Sequence, residues 1–182
     1  MAAADESSWI RQAQLGDREA FAELVKCYWS RIYRWLVGVT ACAHTAEDLT
    51  QEVFVKAWQA LPAFKNENFR AWLFRIARNA WIDSRRTKSP VSDSQPDDLP
   101  GKAPDPLQEM LAREGVLNVQ QACQALPNSV RSAFLLWVHE EMPYDEIAQT
   151  LDITEATARW RVFRARQLLM RALVGQKDKQ TP

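Results

Sequence analysis

The sequence predicts an all-α protein made of two small helical domains, a helical bundle and a helix-turn-helix, joined by a flexible acidic linker. The chain has only five glycines in 182 residues, and it lacks the long β-branched alternating runs that are typical of strands. Its hydrophobic content of 47% is enough to pack one or two small cores. The segment "SPVSDSQPDDLPGKAPDP" is too rich in Pro, Ser and Asp to fold alone. We therefore expect a first domain at 1–88, a linker at 89–106 and a second domain at 107–182.

Apolar spacing and capping residues predict the individual helices. Asp17 suits the N-cap of the second helix, because its carboxylate can accept hydrogen bonds from the first backbone N–H groups. In the second domain, Pro143 suits a helix start and Thr154 suits the N-cap of the last helix. The other predicted helices are Ser8–Leu15, Arg18–Val39, Thr45–Leu61, Asn68–Arg86 and Leu107–Ala125.

Charge is distributed unevenly, although the chain is neutral overall with 23 basic and 23 acidic residues. Arginines are concentrated in Phe69–Lys88 and in Thr154–Arg171, whereas acids are concentrated between them in Asp93–Glu109. Two basic helices that flank an acidic linker distinguish this chain from a uniformly neutral protein.

Several classes of protein find no support in the sequence. The three cysteines form neither a disulfide framework nor a CxxC pair. Cys42 and His44 supply only two of the four ligands that zinc needs, and the alternative is that the cysteines are small buried hydrophobes. We expect no metal and no cofactor. The sequence also lacks a clustered nucleophile and base, so nothing in it indicates an enzyme. Without a signal peptide or a long apolar run, the chain is expected in the reducing cytoplasm.

The segment "PYDEIAQTLDITEATARWRVFRARQLL" has the pattern of two short helices joined by a tight turn at Asp152-Ile153. The second helix carries a core stripe of four apolar residues: Ala158, Val162, Ala165 and Leu169. Its other side carries Arg159, Trp160, Arg164 and Arg171. A basic free face of this kind fits the major groove, where arginines bind guanine edges or phosphates. The alternative is an ordinary helical hairpin with solvated arginines.

The segment "AEDLTQEVFVKAWQAL" is predicted to form an amphipathic helix. Its core stripe consists of Leu49, Val53, Ala57 and Leu61, with Phe54 and Trp58 near the edge. The opposite side is acidic and polar and carries Asp48, Gln51, Glu52, Val55 and Gln59. A polar face bordered by aromatic rings suits docking on another protein. The alternative is a solvated helix face.

The loop "PAFKNEN" and the helix "NFRAWLFRIARNAWIDSRR" follow that segment. The predicted core stripe of the helix is Phe69, Leu73, Ile76 and Ala80. On the other side lie Arg75, Arg78, Arg85 and Arg86, together with Phe74 and Trp81. Rings beside cations suit unpaired bases better than intact duplex, and the alternative is that both rings are buried. We expect Phe74 to be at least half packed, Trp81 to be the more exposed ring, and Trp72 to be structural.

Nearly the whole chain, from Leu15 to Leu173, resembles the extracytoplasmic-function sigma factors of bacterial RNA polymerase. The stretch "AEDLTQEVFVKAWQALPAFKNENFRAWLFRIARNAWIDSRRTK" is similar to their region 2, and "LPNSVRSAFLLWVHEEMPYDEIAQTLDITEATARWRVFRARQLL" is similar to their region 4. The order of the regions also matches, as does the absence of a region 3. The three most specific pieces are "DLTQEVFVKAW", "FRAWLFRIARNAWID" and the string that begins with "YDEIA" and ends with "RVFRAR".

The resemblance implies a role for three groups of residues. Docking on the β′ clamp helices of core polymerase is implied for Asp48, Gln51, Glu52, Phe54 and Trp58. Binding of the minus-ten promoter element is implied for Phe64, Lys65, Asn66, Asn68, Arg70, Arg75, Arg78, Trp81, Arg85 and Arg86. Reading of the minus-thirty-five element is implied for Thr154, Glu155, Thr157, Arg159, Trp160, Arg161 and Arg164. The loop that runs from Phe64 to Asn68 would capture a flipped base.

The resemblance also implies partners: core RNA polymerase, through its β′ clamp helices and β flap, promoter DNA, and an anti-sigma factor that covers both domains. The acidic linker would thread the polymerase channels, where negative charge can mimic nucleic acid. A sigma factor is no catalyst, because it adds promoter specificity and helps to open DNA through binding energy alone.

The chain departs from the family pattern at three positions. Trp160 replaces a residue that is commonly small, Trp81 replaces a smaller aliphatic residue, and Asp152 replaces the usual turn glycine. From the residues alone, two other classes remain open. One is a helix-turn-helix repressor or activator with an unrelated helical domain. The other is a protein that sequesters another factor without touching DNA, against which the two basic helices argue.

Overall fold

A computed structural model describes residues 3–65, 68–88 and 119–177 of the chain. The chain divides into two compact units, Met1–Lys88 and Ser89–Pro182. The described residues contain helices and no strand. Unit 1 contains α1 (Ala3–Gln14), α2 (Arg18–Thr40), α3 (Ala43–Ala60), a short 3-10 helix (Leu61–Ala63) and α4 (Phe69–Lys88). Unit 2 contains α5 (Val119–Gln124), α6 (Asn128–Glu140), α7 (Tyr144–Leu151) and α8 (Glu155–Lys177).

The predicted helices of unit 1 are confirmed, with ends that shift by a few residues. Asp17 caps α2, since its Oδ1 accepts from the backbone N–H of Glu19 at 2.9 Å and of Ala20 at 3.2 Å. The helix ends where Ala41 adopts a left-handed conformation with φ of 56°, and α3 begins two residues later. The predicted linker lies outside the described residues, as does the first part of the predicted helix Leu107–Ala125.

Trp35 of α2 lies at the centre of unit 1 and is fully buried. Its ring meets Phe74 and Trp81 of α4 edge-on, with centroids 6.0 and 6.1 Å apart. Edge-to-face pairs of this geometry add to the free energy gained by burying the rings. The contact therefore fixes α4 against α2.

The buried side of α4 is wider than its apolar spacing predicts. Of the predicted core stripe, Phe69, Leu73 and Ala80 are buried, whereas Ile76 is only half-buried. The expectation that Phe74 is at least half packed is confirmed, because the ring is fully buried. Trp81 is the more exposed of the two rings, as predicted, but it is still buried at 7% exposure and is not available at the surface. The physical reason is Trp35, which extends the core over the flank of α4 where both rings lie.

Unit 2 is built around α8, which packs on α5 and α6. The core cluster comprises Ala122, Leu126, Val130, Phe134, Ala165, Leu168 and Leu169. The turn between α7 and α8 is the predicted one: Asp152 ends α7 in a left-handed conformation with φ of 53°. Thr154 then caps α8, since its hydroxyl accepts from the backbone N–H of Thr157 at 3.2 Å. The helix-turn-helix geometry predicted from the sequence is thereby confirmed.

Candidate nucleic-acid and protein interfaces

The outer face of α3 is polar and open to solvent. The predicted core stripe, Leu49, Val53, Ala57 and Leu61, is buried throughout. The residues predicted on the other side, Asp48, Gln51, Glu52, Val55 and Gln59, are all exposed. Glu52 pairs with Lys56 at 2.6 Å, and Asp48 lies 3.0 Å from His44. We call the surface formed by Asp48, Gln51, Glu52, Val55 and Gln59 the α3 face.

Phe54 and Trp58 are less exposed than the residues of the α3 face. Phe54 is buried and stacks on Trp29 of α2, with centroids 5.7 Å apart and planes 14° from parallel. Trp58 is half-buried, with its centroid 5.0 Å from that of Phe21. Because Phe54 is committed to packing on α2, it cannot also offer its ring to a partner. Its predicted contact role is corrected to that of a support beneath the α3 face.

The ring of Phe64 is also buried, although the sequence places it in a loop expected to stack on bases. It is 7% exposed and lies against Phe69 and Trp72, with centroids 5.7 and 4.8 Å apart. Three aromatic rings in mutual contact leave no face of Phe64 for a base. Its predicted role as a stacking residue is therefore corrected, and the ring instead fixes the loop to the start of α4.

Three further hydrogen bonds hold the residues around Phe64 and the start of α4. Gln14 of α1 donates from its side-chain amide to the carbonyl oxygens of Leu61 and Phe64, at 3.3 and 2.7 Å. The side-chain oxygen of Asn68 accepts from the backbone N–H of Ala71 at 3.1 Å and so caps α4. Lys65 and Asn68 are exposed. The predicted contact residue Asn66 lies outside the described residues.

The arginines of α4 lie where the sequence predicts them. Arg75, Arg85 and Arg86 are exposed, whereas Arg70 and Arg78 are half-buried. The Arg85 guanidinium lies over the Trp81 ring, 5.7 Å from its centroid. The predicted base contact of Trp81 is therefore corrected: the buried ring is a platform that positions Arg85. We call the surface formed by Arg75, Arg85 and Arg86 the basic face of α4.

The exposed start of α8 carries polar side chains that contact one another. The hydroxyls of Thr154 and Thr157 are 2.8 Å apart. The guanidinium of Arg159 pairs with Glu155 at 2.6 Å and lies 4.8 Å from the centre of the Tyr144 ring on α7. Arg159 is thus steadied by both helices of the helix-turn-helix.

Arg161 is the exception among the residues predicted to read the minus-thirty-five element. Its side chain is buried, as are the core residues Ala158 and Val162 beside it. A buried guanidinium is not placed to reach a base edge, so its predicted contact role is corrected. Arg164 is half-buried, and Trp160 is 38% exposed.

Phe163 was not singled out from the sequence, yet it is 56% exposed on α8. A usable signal exists, because Phe163 lies three residues after Trp160 and off the core stripe. At about 100° per residue, this spacing places two aromatic side chains on the same outer side of the helix.

The cysteines differ in their surroundings. Hydrogen bonds from the side chain and backbone of Thr45 lower the pKa of the exposed Cys42 thiol. Burial raises the pKa of Cys27 and of Cys123, which are partly buried. Within the described ranges, no three His, Cys, Asp or Glu side chains are grouped closely enough to hold a metal ion. No helix of these ranges is long and apolar enough to cross a membrane.

Comparison with known proteins gives matches over most of the chain. The family models Sigma-70 region 2 and Sigma-70, region 4 match residues 24–90 and 117–169. RNA polymerase sigma-H factor of Pseudomonas aeruginosa is 34% identical over 176 residues, which cover 90% of this chain and 91% of that protein. ECF RNA polymerase sigma factor SigW of Bacillus subtilis is 32% identical over 179 residues, which cover 90% and 94%.

Two solved structures have a similar fold. CnrH, in complex with the cytosolic domain of CnrY, has a TM-score of 0.71 and 25% identity, and the match covers 97% of this chain and 99% of CnrH. The sigma factor RpoE of Bartonella quintana, in complex with the anti-sigma factor NepR, has a TM-score of 0.66 and 26% identity, with 84% and 96% covered.

A helix-turn-helix in one unit and a basic helix in the other define the class of DNA-binding transcription proteins. Within that class, the chain belongs to the sigma-70 family and to its ECF group, whose members bind core RNA polymerase and promoter DNA and direct transcription initiation.

Proposed function

We propose that the α3 face binds the β′ clamp helices of core RNA polymerase, with Asp48, Gln51 and Glu52 as its principal contacts. The observation that carries the proposal is the exposed, acidic and polar character of this face beside Val55, which is 57% exposed. Charged groups at the rim of an apolar contact favour specific docking. Phe54 and Trp58 act from below by fixing α3 against α2.

The basic face of α4 and the loop before it engage the minus-ten element as it melts. Exposed Arg75, Arg85 and Arg86 support this assignment, because arginines on one face can neutralise successive phosphates. Lys65 and Asn68 are exposed and offer hydrogen-bond donors to an unstacked base. Half-buried Arg70 and Arg78 contribute charge beside them.

The start of α8 reads the minus-thirty-five element in the major groove. The orientation of the helix supports this assignment, because Ala158 and Val162 face the core while Thr154, Glu155 and Arg159 are exposed. Thr157 and Arg164 flank this exposed surface as half-buried residues. Unit 2 also supplies the contact with the β flap.

An anti-sigma factor holds the protein inactive in the cytoplasm until a signal releases it. The support is similarity: RpoE was solved with the anti-sigma factor NepR, and CnrH with the cytosolic domain of CnrY. The exposed Leu15 in unit 1 and Val138 in unit 2 are apolar side chains that such a partner can cover. The protein has no catalytic activity of its own and lends specificity to the polymerase.

Reconstituted transcription tests the function as a whole. The purified chain, mixed with bacterial core polymerase and fragmented genomic DNA, is expected to start RNA synthesis at a defined set of promoters. Tight duplex binding without a polymerase complex would instead support a repressor or activator. If the chain shows no salt-sensitive DNA binding, either alone or with polymerase, the remaining hypothesis is a protein that sequesters another factor.

A further inference from the structure

One outer strip of α8 is apolar although it faces away from the core. Ala158, Val162 and Ala165 are fully buried on the inner side of the helix. On the opposite side, Trp160 and Phe163 are 38% and 56% exposed. The folding of unit 2 leaves a large part of both rings uncovered, and a contact outside the unit can bury that apolar area. We call Trp160 and Phe163 the aromatic strip.

Arginines border the aromatic strip on both sides. At about 100° per residue, Arg159 and Arg166 lie along one edge of the strip, and Arg164 and Arg171 lie along the other. A cation on each flank and apolar groups along the centre match a major groove, whose two walls are phosphates and whose floor is base edges. A protein partner offers no comparable reason for positive charge along both edges, so DNA is the occupant that the charges favour.

The arginines at one edge are already engaged within the unit. Arg159 pairs with Glu155, and Arg166 lies over the Trp137 ring, 5.4 Å from its centroid. These contacts hold the two guanidinium groups at the edge of α8, where they can bind phosphates. They do not direct the groups toward the centre of the groove. The centre is thus left to the aromatic strip, which has a suitable target on the floor of the groove: the C5 methyl group of thymine.

We propose that Trp160, with Phe163 beside it, contacts a thymine methyl group in the minus-thirty-five element and is a specificity-determining residue of this protein. The proposal rests on the assignment of α8 as the helix that reads this element. Thymine is then preferred over cytosine and uracil at the contacted position, because only thymine carries the methyl group.

The test begins with a selection. The full chain and core polymerase select transcribed promoters from a library with a randomised minus-thirty-five element. The same selection is run with Trp160→Ser, which removes the indole from an exposed site, and with Met170→Ser as a matched control. Met170 is an exposed apolar residue further along α8. We expect one or more thymines to be enriched with the natural chain and with the control, and this enrichment to disappear with Trp160→Ser.

Single thymines of a selected promoter are then replaced by deoxyuridine, which keeps every hydrogen bond and removes only the methyl group. At the contacted position, the natural chain is expected to lose about fourfold in promoter affinity. Trp160→Ser is expected to bind both promoters equally. Circular dichroism of the variant checks that its helices are retained.

Three results would overturn the proposal. If transcription starts normally but no replacement by deoxyuridine matters, α8 can still read DNA but the strip does not read a methyl group. If Trp160→Ser retains the thymine preference and loses affinity for polymerase or for a regulator, the strip is a protein contact. If the chain starts no transcription with core polymerase, the proposed function fails and this inference with it.

Discussion

Gln14 and Phe64 are joined by a hydrogen bond of 2.7 Å, from the side-chain amide of α1 to a backbone carbonyl fifty residues further along the chain. The same amide reaches the carbonyl of Leu61 at 3.3 Å. The first helix thus fixes the loop that precedes the basic face of α4. Under the proposed assignment, Gln14 is a positioning residue, because its side-chain amide contacts the backbone of Leu61 and Phe64.

Replacing Gln14 by Leu is expected to weaken promoter opening while leaving polymerase binding intact. Two hydrogen bonds of about 0.5–1.5 kcal/mol each would be lost, so we expect roughly a tenfold decrease in open complexes. Permanganate reactivity of unpaired thymines measures the opening. Gln12→Leu changes an exposed glutamine of the same helix and should leave opening unchanged. Equal effects of both variants would contradict a specific role for Gln14.

Reversing the charge of Glu52 is expected to lower the affinity for core polymerase by about tenfold or more, since like charges at an interface cost several kcal/mol. Glu23→Lys is the matched control. Glu52 and Glu23 each pair with a lysine of their own helix at 2.6 Å, but only Glu52 lies on the α3 face. Fluorescence anisotropy with labelled polymerase measures both affinities. Loss of binding in the control as well would indicate a non-specific charge effect.

Substitutions at Trp81 and Arg85 are expected to affect different properties: the first the stability of unit 1, the second its DNA binding. Trp81→Ala removes a buried ring beside Trp35 and should lower the free energy of unfolding by about 3–5 kcal/mol. Arg85→Gln should leave that free energy nearly unchanged. It should reduce the slope of log affinity against log salt by about 0.7 for a single-stranded contact. Urea denaturation and DNA titrations at several salt concentrations measure the two quantities. An unchanged salt slope would remove Arg85 from the DNA contact.

Cys42 is expected to be alkylated faster than Cys27 and Cys123 near neutral pH. Its pKa is lowered by hydrogen bonds from Thr45, so more of it is thiolate at a given pH, whereas burial raises the pKa of the other two. Mass spectrometry after brief iodoacetamide treatment gives the order.

Thr45→Val keeps the shape of the side chain and removes its hydroxyl. Alkylation of Cys42 should become slower near neutral pH, and the difference should shrink above about pH 10, where the thiol is ionised in both proteins. A difference that persists at high pH would point to access rather than to ionisation.

The spacing of apolar residues was sufficient to predict the buried side of a helix where that helix packs through a single stripe. The inward residues of α3 and α8, such as Val53 and Val162, could be predicted because the spacing of about 3.6 residues defines one face. Local capping was also predictable: Asp17 and Thr154 act on backbone groups within three residues.

Periodicity was insufficient for residues at the edge of a face, since a neighbouring helix decides whether such a residue is buried. Trp29 covers Phe54, and Trp35 packs against Trp81. Neither Phe54 nor Trp81 is therefore available at the surface. The ring of Phe64 is covered by Phe69 and Trp72, and its backbone carbonyl is held by Gln14, which is distant in sequence. The local sequence around Phe54, Phe64 and Trp81 gives no indication of these contacts with distant parts of the chain.

The contact between Trp35 and α4 has a consequence for how the two outer faces of unit 1 would work together. The α3 face and the basic face of α4 belong to one packed unit, in which Trp35 sets the position of α4. Under the proposed assignment, the unit acts as a ruler between the polymerase surface and the melted strand. A change in the core, such as Trp35→Phe, would then lower the fraction of open complexes by loosening α4, while every residue that touches polymerase or DNA stays the same.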